Sequence, residues 1–309
     1  MGDPAATAEP RYMGGQAVLE GVMMRGASTW AIAVRKPDGE IAVDVREVPG
    51  WSDRYAKVPL VRGVMSLAES LGLGYRALTW SANQQVPEAD QISERALGWA
   101  VIPVAVFFSA VFIVIPAFAG KGLSHLFHGS FPVVEGVVRL ALFVAYLLGV
   151  GCLKDIRRVF QYHGAEHKTI AAYENDVELT PEVAQQFTTA HVRCGTNFLL
   201  TVMVIAVFVY SVIPRPNLWF VIGSRVVLMP VIAGLSYEVI RYAAKNMQRR
   251  WVRLLVRPGL LLQRLTTREP DLEQLEVAIA SLRAVLTAEQ RTEVEARSGR
   301  RVPVVAPAY

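Results

Sequence analysis

The residues of this sequence best suited to chemistry lie in one short run, where His163, Glu166 and His167 form the pattern H-x-x-E-H. In a helix, residues four apart lie on the same face, so the two imidazoles would point in one direction. H-x-x-E-H is the inverted order of a zinc-hydrolase motif in which two histidines bind the metal and the glutamate acts as general base. The run therefore predicts a divalent metal site, most simply zinc, with His163 and His167 as ligands and Glu166 as the catalytic base.

A second run, from His191 to Cys194, supplies candidates for a third ligand. Imidazole and thiolate both bind zinc, and a spacing of three residues can aim both side chains the same way. Three protein ligands leave one position for water, which is the arrangement of hydrolytic zinc sites. Both His191 and Cys194 remain candidate metal ligands, and Cys194 as a nucleophile with His191 as its base is a further alternative.

Other charged residues are expected beside this site. Glu174 lies eleven positions after His163, which is about 16 Å along a straight helix and too far to share one ion. Arg193 is expected to pair with Glu166 or to bind an anionic group. Glu238 is a further carboxylate candidate from a distant part of the chain.

The elements that must position these residues are strongly apolar. The chain has 309 residues, 52% of them hydrophobic, and a mean hydropathy of +0.31, whereas a soluble domain averages about 45–50% apolar residues. The excess is concentrated in runs long enough to cross the roughly 30 Å of a bilayer's hydrocarbon core. Four transmembrane helices are predicted, at residues 99–119, 133–153, 197–213 and 218–237.

Lysine and arginine are distributed unevenly between the connections. Ten precede the first predicted span, five lie in the loop 154–196 and thirteen follow the last span, whereas 120–131 and 214–217 carry one each. Because positive residues remain on the cytoplasmic side, the sequence predicts a multi-pass protein of the bacterial inner membrane with both termini in the cytoplasm. The candidate ligands then lie at the cytoplasmic ends of the spans.

A small β unit is predicted before the spans. Residues 30–35 and 40–47 alternate apolar and polar around an Asp38-Gly39 turn, which is typical of a hairpin. The glycine-rich run 14–26 is assigned to the same unit. Residues 59–82 predict an amphipathic helix that lies on the membrane surface or packs on the β unit.

The region after the spans is basic and helical. Residues 241–257 predict a helix suited to anionic headgroups, ended by Pro258 and Gly259. An apolar stripe predicts another helix from about residue 272 to 289, beginning near Asp271, and residues 302–309 are expected to be disordered. Within the spans, Glu135 is expected to pair with Arg139 or Arg225 as a structural clamp.

The predicted fold class is therefore an α-helical integral membrane protein with about four transmembrane helices, a small N-terminal cytoplasmic β unit and a C-terminal amphipathic helix. The predicted division of the chain is a disordered tail (1–13), the β unit with its amphipathic helix (14–98), the four-span bundle with its His/Glu loop at 154–196 (99–237), and a basic cytoplasmic helical tail (238–309).

Composition also argues against several other classes of protein. The net charge of +5 and the pI of about 9.3 fit the positive-inside bias, and no aromatic-basic interleaving indicates a nucleic-acid partner. Two cysteines make no disulfide framework, and residues 1–10 do not read as a signal peptide. Membrane lipids are the expected partners, and the oligomeric state is open.

Five motifs together resemble the YqhQ-like family, a bacterial membrane family of unknown function. They are GGQAVLEGVMMRG at 14–26, YHGAEHK at 162–168, HVRCGT at 191–196, SYEVIR at 236–241, and PGL…LTTREP at 258–270. The resemblance covers about residues 12–290 and departs from the family pattern at Val192, where a proline is expected. It implies a membrane protein labelled as a predicted metal-dependent enzyme, a label that rests on the same His and Glu residues, and it implies no substrate.

Two functions from different classes follow from these observations. The first is a metal-dependent hydrolase acting on a membrane-associated substrate at the cytoplasmic surface. The second is a non-catalytic scaffold or assembly factor with a membrane-protein partner, in which the His/Glu layer only holds helices together; transport is a weaker third option because the spans carry few polar residues. The metal interpretation requires His163 and His167 to lie within about 5 Å of a side chain from 191–194.

Overall fold

The computed structural model describes residues 13–126, 131–214 and 217–300. In this part the protein is mostly helical, with one small sheet near the N-terminus. The ends predicted to be disordered lie outside the described residues, except that Met13 is buried in the core with 5% exposure.

The sheet has four antiparallel strands in sequence order. They are β1 (Gly14–Val18), β2 (Gly21–Arg25), β3 (Thr29–Arg35) and β4 (Ile41–Glu47). The predicted hairpin is confirmed as β3–β4, and its turn contains Gly39 at a φ of 90°, a conformation that glycine adopts without strain. The glycine-rich run forms a second hairpin, β1–β2. The sequence assigns this run to the β unit but does not predict its two strands.

Eleven α-helices lie in the described part of the chain. They are α1 (Val61–Gln84), α2 (Glu94–Ser109), α3 (Ile115–Leu126), α4 (Phe131–Val150), α5 (Lys154–Glu174), α6 (Pro181–Ala184), α7 (Gly195–Ser211), α8 (Leu218–Lys245), α9 (Arg250–Thr266), α10 (Leu272–Val285) and α11 (Ala288–Glu295). A π-helical segment, Ala110–Val114, joins α2 to α3 without a break.

Among the described residues, three helices are long and apolar enough to cross a membrane: Glu94–Ser124, Phe131–Val150 and Leu218–Lys245. They indicate a membrane-associated protein. The predicted span 197–213 coincides with α7, an apolar helix of 17 residues, which is about 25 Å long and shorter than the hydrocarbon core. The structure thus supports three of the four predicted spans by length and composition.

The central strands β2 and β3 are buried on both faces, and their alternating side chains enter two different cores. Val22, Met24, Ala31 and Ala33 pack into one core with α5 and α10. Residues on the opposite face, including Trp30, pack against Leu73 and Ala77 of α1. Of the two placements considered for the 59–82 helix, the structure therefore shows packing on the β unit.

The prediction that Pro258 and Gly259 end a basic helix is wrong. The chain breaks earlier, between the end of α8 at Lys245 and the start of α9 at Arg250, and α9 then continues through both residues to Thr266. Val252 and Val256 of α9 pack into a core with Val192, and we infer that this packing outweighs the backbone hydrogen bond lost at Pro258. The predicted stripe after Asp271 forms α10, which the Asp271 side chain caps.

Candidate metal centre

Three of the predicted site residues come together at one point. His163 and His167 lie on the same face of α5, with ring centroids 4.4 Å apart. The Sγ atom of Cys194 lies 3.2 Å from Nε2 of His163, and one ligand atom from each of the three residues lies within 4.8 Å of the others. Only 1% of His167 and 6% of Cys194 is exposed. We call this group the His–Cys cluster; it could hold a metal ion.

Backbone carbonyls fix the orientation of both imidazoles. Nδ1 of His163 lies 2.8 Å from the carbonyl oxygen of Thr266, and Nδ1 of His167 lies 2.6 Å from that of Thr189. A carbonyl oxygen can only accept a hydrogen bond, so both Nδ1 atoms carry a proton. In the neutral imidazole, the Nε2 atom then carries the lone pair, and the Nε2 of His163 lies next to the cysteine sulfur.

Gly164 allows the Thr266 carbonyl to reach the cluster. A Cβ atom at this position would overlap the carbonyl oxygen of Arg268, so the chain following α9 crosses α5 directly at the glycine. The amide of Arg268 donates to the carbonyl of Phe160 at 2.9 Å and fastens this crossing. The close approach sets the position of the Thr266 carbonyl beside His163.

Cys194 is the N-cap residue of α7, and its sulfur lies 3.5 Å from the backbone nitrogen of Thr196. Burial alone would raise the pKa of the thiol, but the interactions of the thiol with His167 and Thr196 outweigh burial and lower the pKa. Burial lowers the pKa of His167, against the opposing effect of Cys194. Both shifts act in the direction of the deprotonated thiol and the neutral imidazole, the forms in which these residues bind metals.

Glu166, the predicted catalytic base, is 5% exposed and lies under strand β1. A Cβ atom on Gly15 would lie 2.8 Å from the Glu166 carboxyl group, so only a glycine lets the strand approach this closely. Burial raises the pKa of Glu166 to about 8; the charge of His163 and the amide of Ala17 oppose this rise, and Cys194 adds to it.

The structure places His191 beside the cluster but turned toward another partner. Its ring lies 5.4 Å from that of His167, while its Nε2 lies 3.7 Å from a carboxylate oxygen of Glu174. The side chain of Gln263 holds its backbone through two hydrogen bonds of 2.9 Å. His191 is thus not among the three residues whose ligand atoms converge, and its role as a ligand stays a prediction.

The predicted pairing of Arg193 with Glu166 is wrong, because Arg193 forms its ion pair with Glu174. Glu238 is also engaged elsewhere, since both of its carboxylate oxygens accept hydrogen bonds from Arg62 of α1. In both cases the side chain forms an ion pair outside the His–Cys cluster.

The His–Cys cluster opens onto a cavity of about 770 Å³. Its walls are formed by β1, α1, α5, α8 and the N-terminal end of α7. Glu166 lies in the wall contributed by α5. This volume is in the range of small-molecule sites. The lone pairs of the cluster therefore face a space that a substrate could enter, and we call this space the cluster cavity.

Sequence reasoning missed the groups that orient the cluster. The acceptors at Thr189 and Thr266 are backbone carbonyls, which leave no side-chain signal. Gln263 carried only a weak signal, because it follows three leucines but is itself followed by Arg264; in the structure it is 1% exposed. The glycine-rich run 14–26 was assigned to the β unit, but its sequence does not indicate that Gly15 lies against Glu166.

A second buried polar group lies among the apolar helices. Glu135 of α4 accepts hydrogen bonds from Arg139 at 2.7 Å and from Arg225 at 3.0 Å, so it pairs with both predicted partners. Arg139 also donates to the carbonyl of Phe112 at 2.8 Å, and the guanidinium of Arg225 lies 3.8 Å from the ring centroid of Tyr210. We call this group the Glu–Arg cluster.

The fold and site define a mostly helical, membrane-associated protein with a buried His–Cys cluster that could hold a metal. Residues 58–288 match the family described as "Protein of unknown function (DUF1385)", and the chain belongs to this family. It is 35% identical over 304 residues to the uncharacterized protein YqhQ of Bacillus subtilis strain 168, covering 92% of this chain and 95% of that protein. No solved structure matches the chain. The YqhQ-like resemblance is thereby confirmed, whereas neither comparison assigns a metal or a reaction.

Proposed function

We propose that this protein is a metal-dependent hydrolase of membrane-associated substrates, with a divalent ion, zinc, held by His163, His167 and Cys194. The observation that carries the proposal is the convergence of three donor atoms whose other contacts fix them in place. Metal-binding histidines commonly donate their second ring nitrogen to a carbonyl in this way. His191 is the alternative third ligand.

The donor set suits zinc better than magnesium or calcium. Imidazole and thiolate are preferred by zinc and other late transition metals, whereas magnesium and calcium take oxygen ligands. Three protein ligands next to a cavity of about 770 Å³ leave space for a further ligand. When bound in such a site, zinc supplies a Lewis acid and lowers the pKa of its water.

Glu166 is the residue to hold or transfer a proton at this site. Its carboxyl group lies in the wall of the cluster cavity, one residue from His167, and β1 shields it from bulk water. Proton transfer by a positioned carboxyl group is most efficient when its pKa lies near the working pH. A divalent cation nearby would pull the raised pKa of Glu166 back down.

Membrane placement supports a substrate held in or on the bilayer. We propose a multi-pass protein of the cell membrane with both termini cytoplasmic, following the distribution of lysine and arginine. Exposed apolar residues of α9, including Trp251, Leu254 and Leu255, lie next to its arginines. This pattern suits a helix at the interface with anionic lipids.

Metal analysis tests the proposal. Protein purified without chelators should contain near-stoichiometric metal, and His163→Ala, His167→Ala and Cys194→Ser should each lose most of it. Cys152→Ser is the matched control. Cys152 is exposed, precedes α5 in the sequence, and donates from its sulfur to the carbonyl of Leu148 rather than to a residue of the cluster. With cobalt in place of zinc, Cys194→Ser should also remove the sulfur-to-metal charge-transfer band. Wild-type protein that binds neither ion would overturn the proposal.

A non-catalytic scaffold is the second candidate, and one observation favours it. The two imidazoles connect α5 to the segments at Thr189 and Thr266, so they also hold three parts of the chain together. Asparagine can donate from nearly the position of Nδ1 but offers no Nε2. If the variants His163→Asn and His167→Asn lose the metal but keep both their stability and their function in the cell, the protein is a non-catalytic scaffold.

A further inference from the structure

A second cavity, of about 410 Å³, lies among the apolar helices. The helix Glu94–Ser124, α4, α7 and α8 form its walls, with side chains such as Phe112, Phe143 and Met203. We call it the chain cavity. Thr196 at one end of α7 and Tyr210 near the other both line it, so it extends along about 20 Å of that helix.

The two cavities share a wall at Thr196, which lines both of them. The hydroxyl of Thr196 lies 3.1 Å from that of Thr266 and 3.5 Å from the sulfur of Cys194. Thr266 in turn supplies the carbonyl that orients His163. The threonine pair Thr196–Thr266 therefore lies between this apolar space and the His–Cys cluster.

The charged residues in the chain cavity do not call for a charged ligand. Arg139 and Arg225 line it, but both donate to Glu135, and Arg225 also lies over the ring of Tyr210. The remaining walls are almost wholly apolar. A hydrocarbon chain is the occupant that leaves no polar group unpaired in this space.

We infer that the chain cavity binds one acyl chain of a bilayer glycerolipid whose polar part lies in the cluster cavity. The inference rests on the proposed function and names its substrate class. The chain lies along α7, and its junction with the polar part passes the threonine pair Thr196–Thr266 next to Cys194. The two cavities then divide one amphipathic molecule between an apolar and a polar compartment.

Photo-crosslinking in vesicles tests this assignment. The full chain is reconstituted in phosphatidylethanolamine and phosphatidylglycerol, with a trace of phosphatidylglycerol that carries a diazirine midway along one acyl chain. Peptide mapping should place label on Met203 and on Ala206, which is only 4% exposed and lines the cavity. Val204 and Phe208 are exposed on other faces of the same helix and report ordinary lipid contact.

Filling the cavity should remove the internal label alone. Val202→Trp, or the milder Val202→Phe, should abolish labelling of Ala206, while Val204→Trp on an outward face should leave it unchanged. Label confined to Val204 and Phe208 in wild-type protein, or label on Ala206 that survives both Val202 variants, would overturn the inference.

Metal content separates this failure from failure of the proposed function. Val202→Phe should keep the metal and cobalt spectrum of the wild type, because it lies outside the cluster cavity. Metal-binding protein without internal label removes the chain site but leaves the hydrolase proposal. Internal label in a protein that binds no metal supports the lipid site while the metal-dependent activity fails.

Discussion

The His–Cys cluster and the Glu–Arg cluster are both buried and polar, but they differ in how their bonding capacity is used. In the Glu–Arg cluster, both carboxylate oxygens of Glu135 accept hydrogen bonds from arginines, and Arg139 donates further to Phe112. In the His–Cys cluster, Nδ1 of each imidazole is hydrogen-bonded to a backbone carbonyl, and the other ring nitrogen lies near Cys194.

The difference reflects what each group faces. Charges inside an apolar bundle are costly unless they are paired, so the Glu–Arg cluster is closed upon itself. The donor atoms of the His–Cys cluster face a cavity, and their remaining lone pairs are available for a ligand. A closed cluster should therefore matter for stability, and an open one for binding. Four experiments probe this distinction.

The largest effect is expected from opening the closed cluster. Glu135 and Arg225 are each 1% exposed, so Glu135→Ala leaves buried guanidinium groups without their carboxylate and should cost about 3–5 kcal/mol of unfolding free energy. Denaturant unfolding in detergent measures the loss, with Glu47→Ala on exposed β4 as the control. A loss below about 1 kcal/mol would show that the cluster is not a clamp.

Glu166, which lies beside the open cluster, should make the stability of the metal-free protein depend on pH. Burial raises the pKa of Glu166 from 4.5 to about 8, so the folded state holds a proton that the unfolded state releases between these values. The contribution of Glu166 to stability should then fall by a few kcal/mol as the pH rises from about 4.5 to 8, since one pKa unit corresponds to about 1.4 kcal/mol, whereas the lowered pKa values of His167 and Cys194 act in the opposite direction.

Glu166→Gln should remove most of this pH dependence, because glutamine cannot titrate. Glu182→Gln is the matched control, since Glu182 of α6 is exposed. The measurement is the free energy of unfolding of the wild type, Glu166→Gln and Glu182→Gln at several pH values across this range. An unchanged slope in Glu166→Gln would mean that another group carries the titration.

Disturbing the carbonyl that orients His163 should weaken the open cluster without removing a ligand. In Gly164→Ala, the new Cβ atom overlaps the carbonyl of Arg268 and displaces the neighbouring Thr266. Loss of such a supporting contact typically lowers metal affinity about 10–100-fold. Metal titration measures this change, and Gly72→Ala is the control, because nothing lies within 4 Å of a Cβ at that position.

The smallest effect on metal is expected from the histidine beside the cluster. His191→Ala leaves the three converging donors intact, so metal stoichiometry should stay the same and affinity should change by less than about tenfold. Loss of the metal in this variant, with retention in Cys194→Ser, would make His191 the third ligand and reverse the assignment.

Local patterns in the sequence predicted the parts of this molecule that depend on periodicity. The spacing of His163 and His167 predicted that both rings lie on one face of a helix, and α5 shows this arrangement. The alternation around Asp38 and Gly39 likewise predicted the β3–β4 hairpin. Both rest on interactions between near neighbours in the chain.

The parts that were missed depend on contacts between distant segments. The orientation of His191 and Cys194 relative to α5 depends on Gln263. The side chain of Gln263, 72 positions later in α9, is hydrogen-bonded to the backbone of His191. The pairing of Arg193 depends on which carboxylate lies nearer, and Glu174 does. No local sequence pattern encodes these distances. The sequence therefore limited the third metal ligand to the run 191–194 but could not decide between His191 and Cys194.

The packing of α10 on the sheet joins the two ends of the chain, and this affects how the protein is made. Ser281 of α10 donates to the carbonyl of Ala31 in β3, 250 positions earlier in the chain. A ribosome adding about 5–20 residues per second would need on the order of ten seconds or more to produce the missing half of this contact. During that interval, the face of the sheet that packs on α10 is bare. The carbonyl of Thr266, which orients His163, is likewise made 103 positions after that histidine, so the His–Cys cluster takes its final form only late in synthesis.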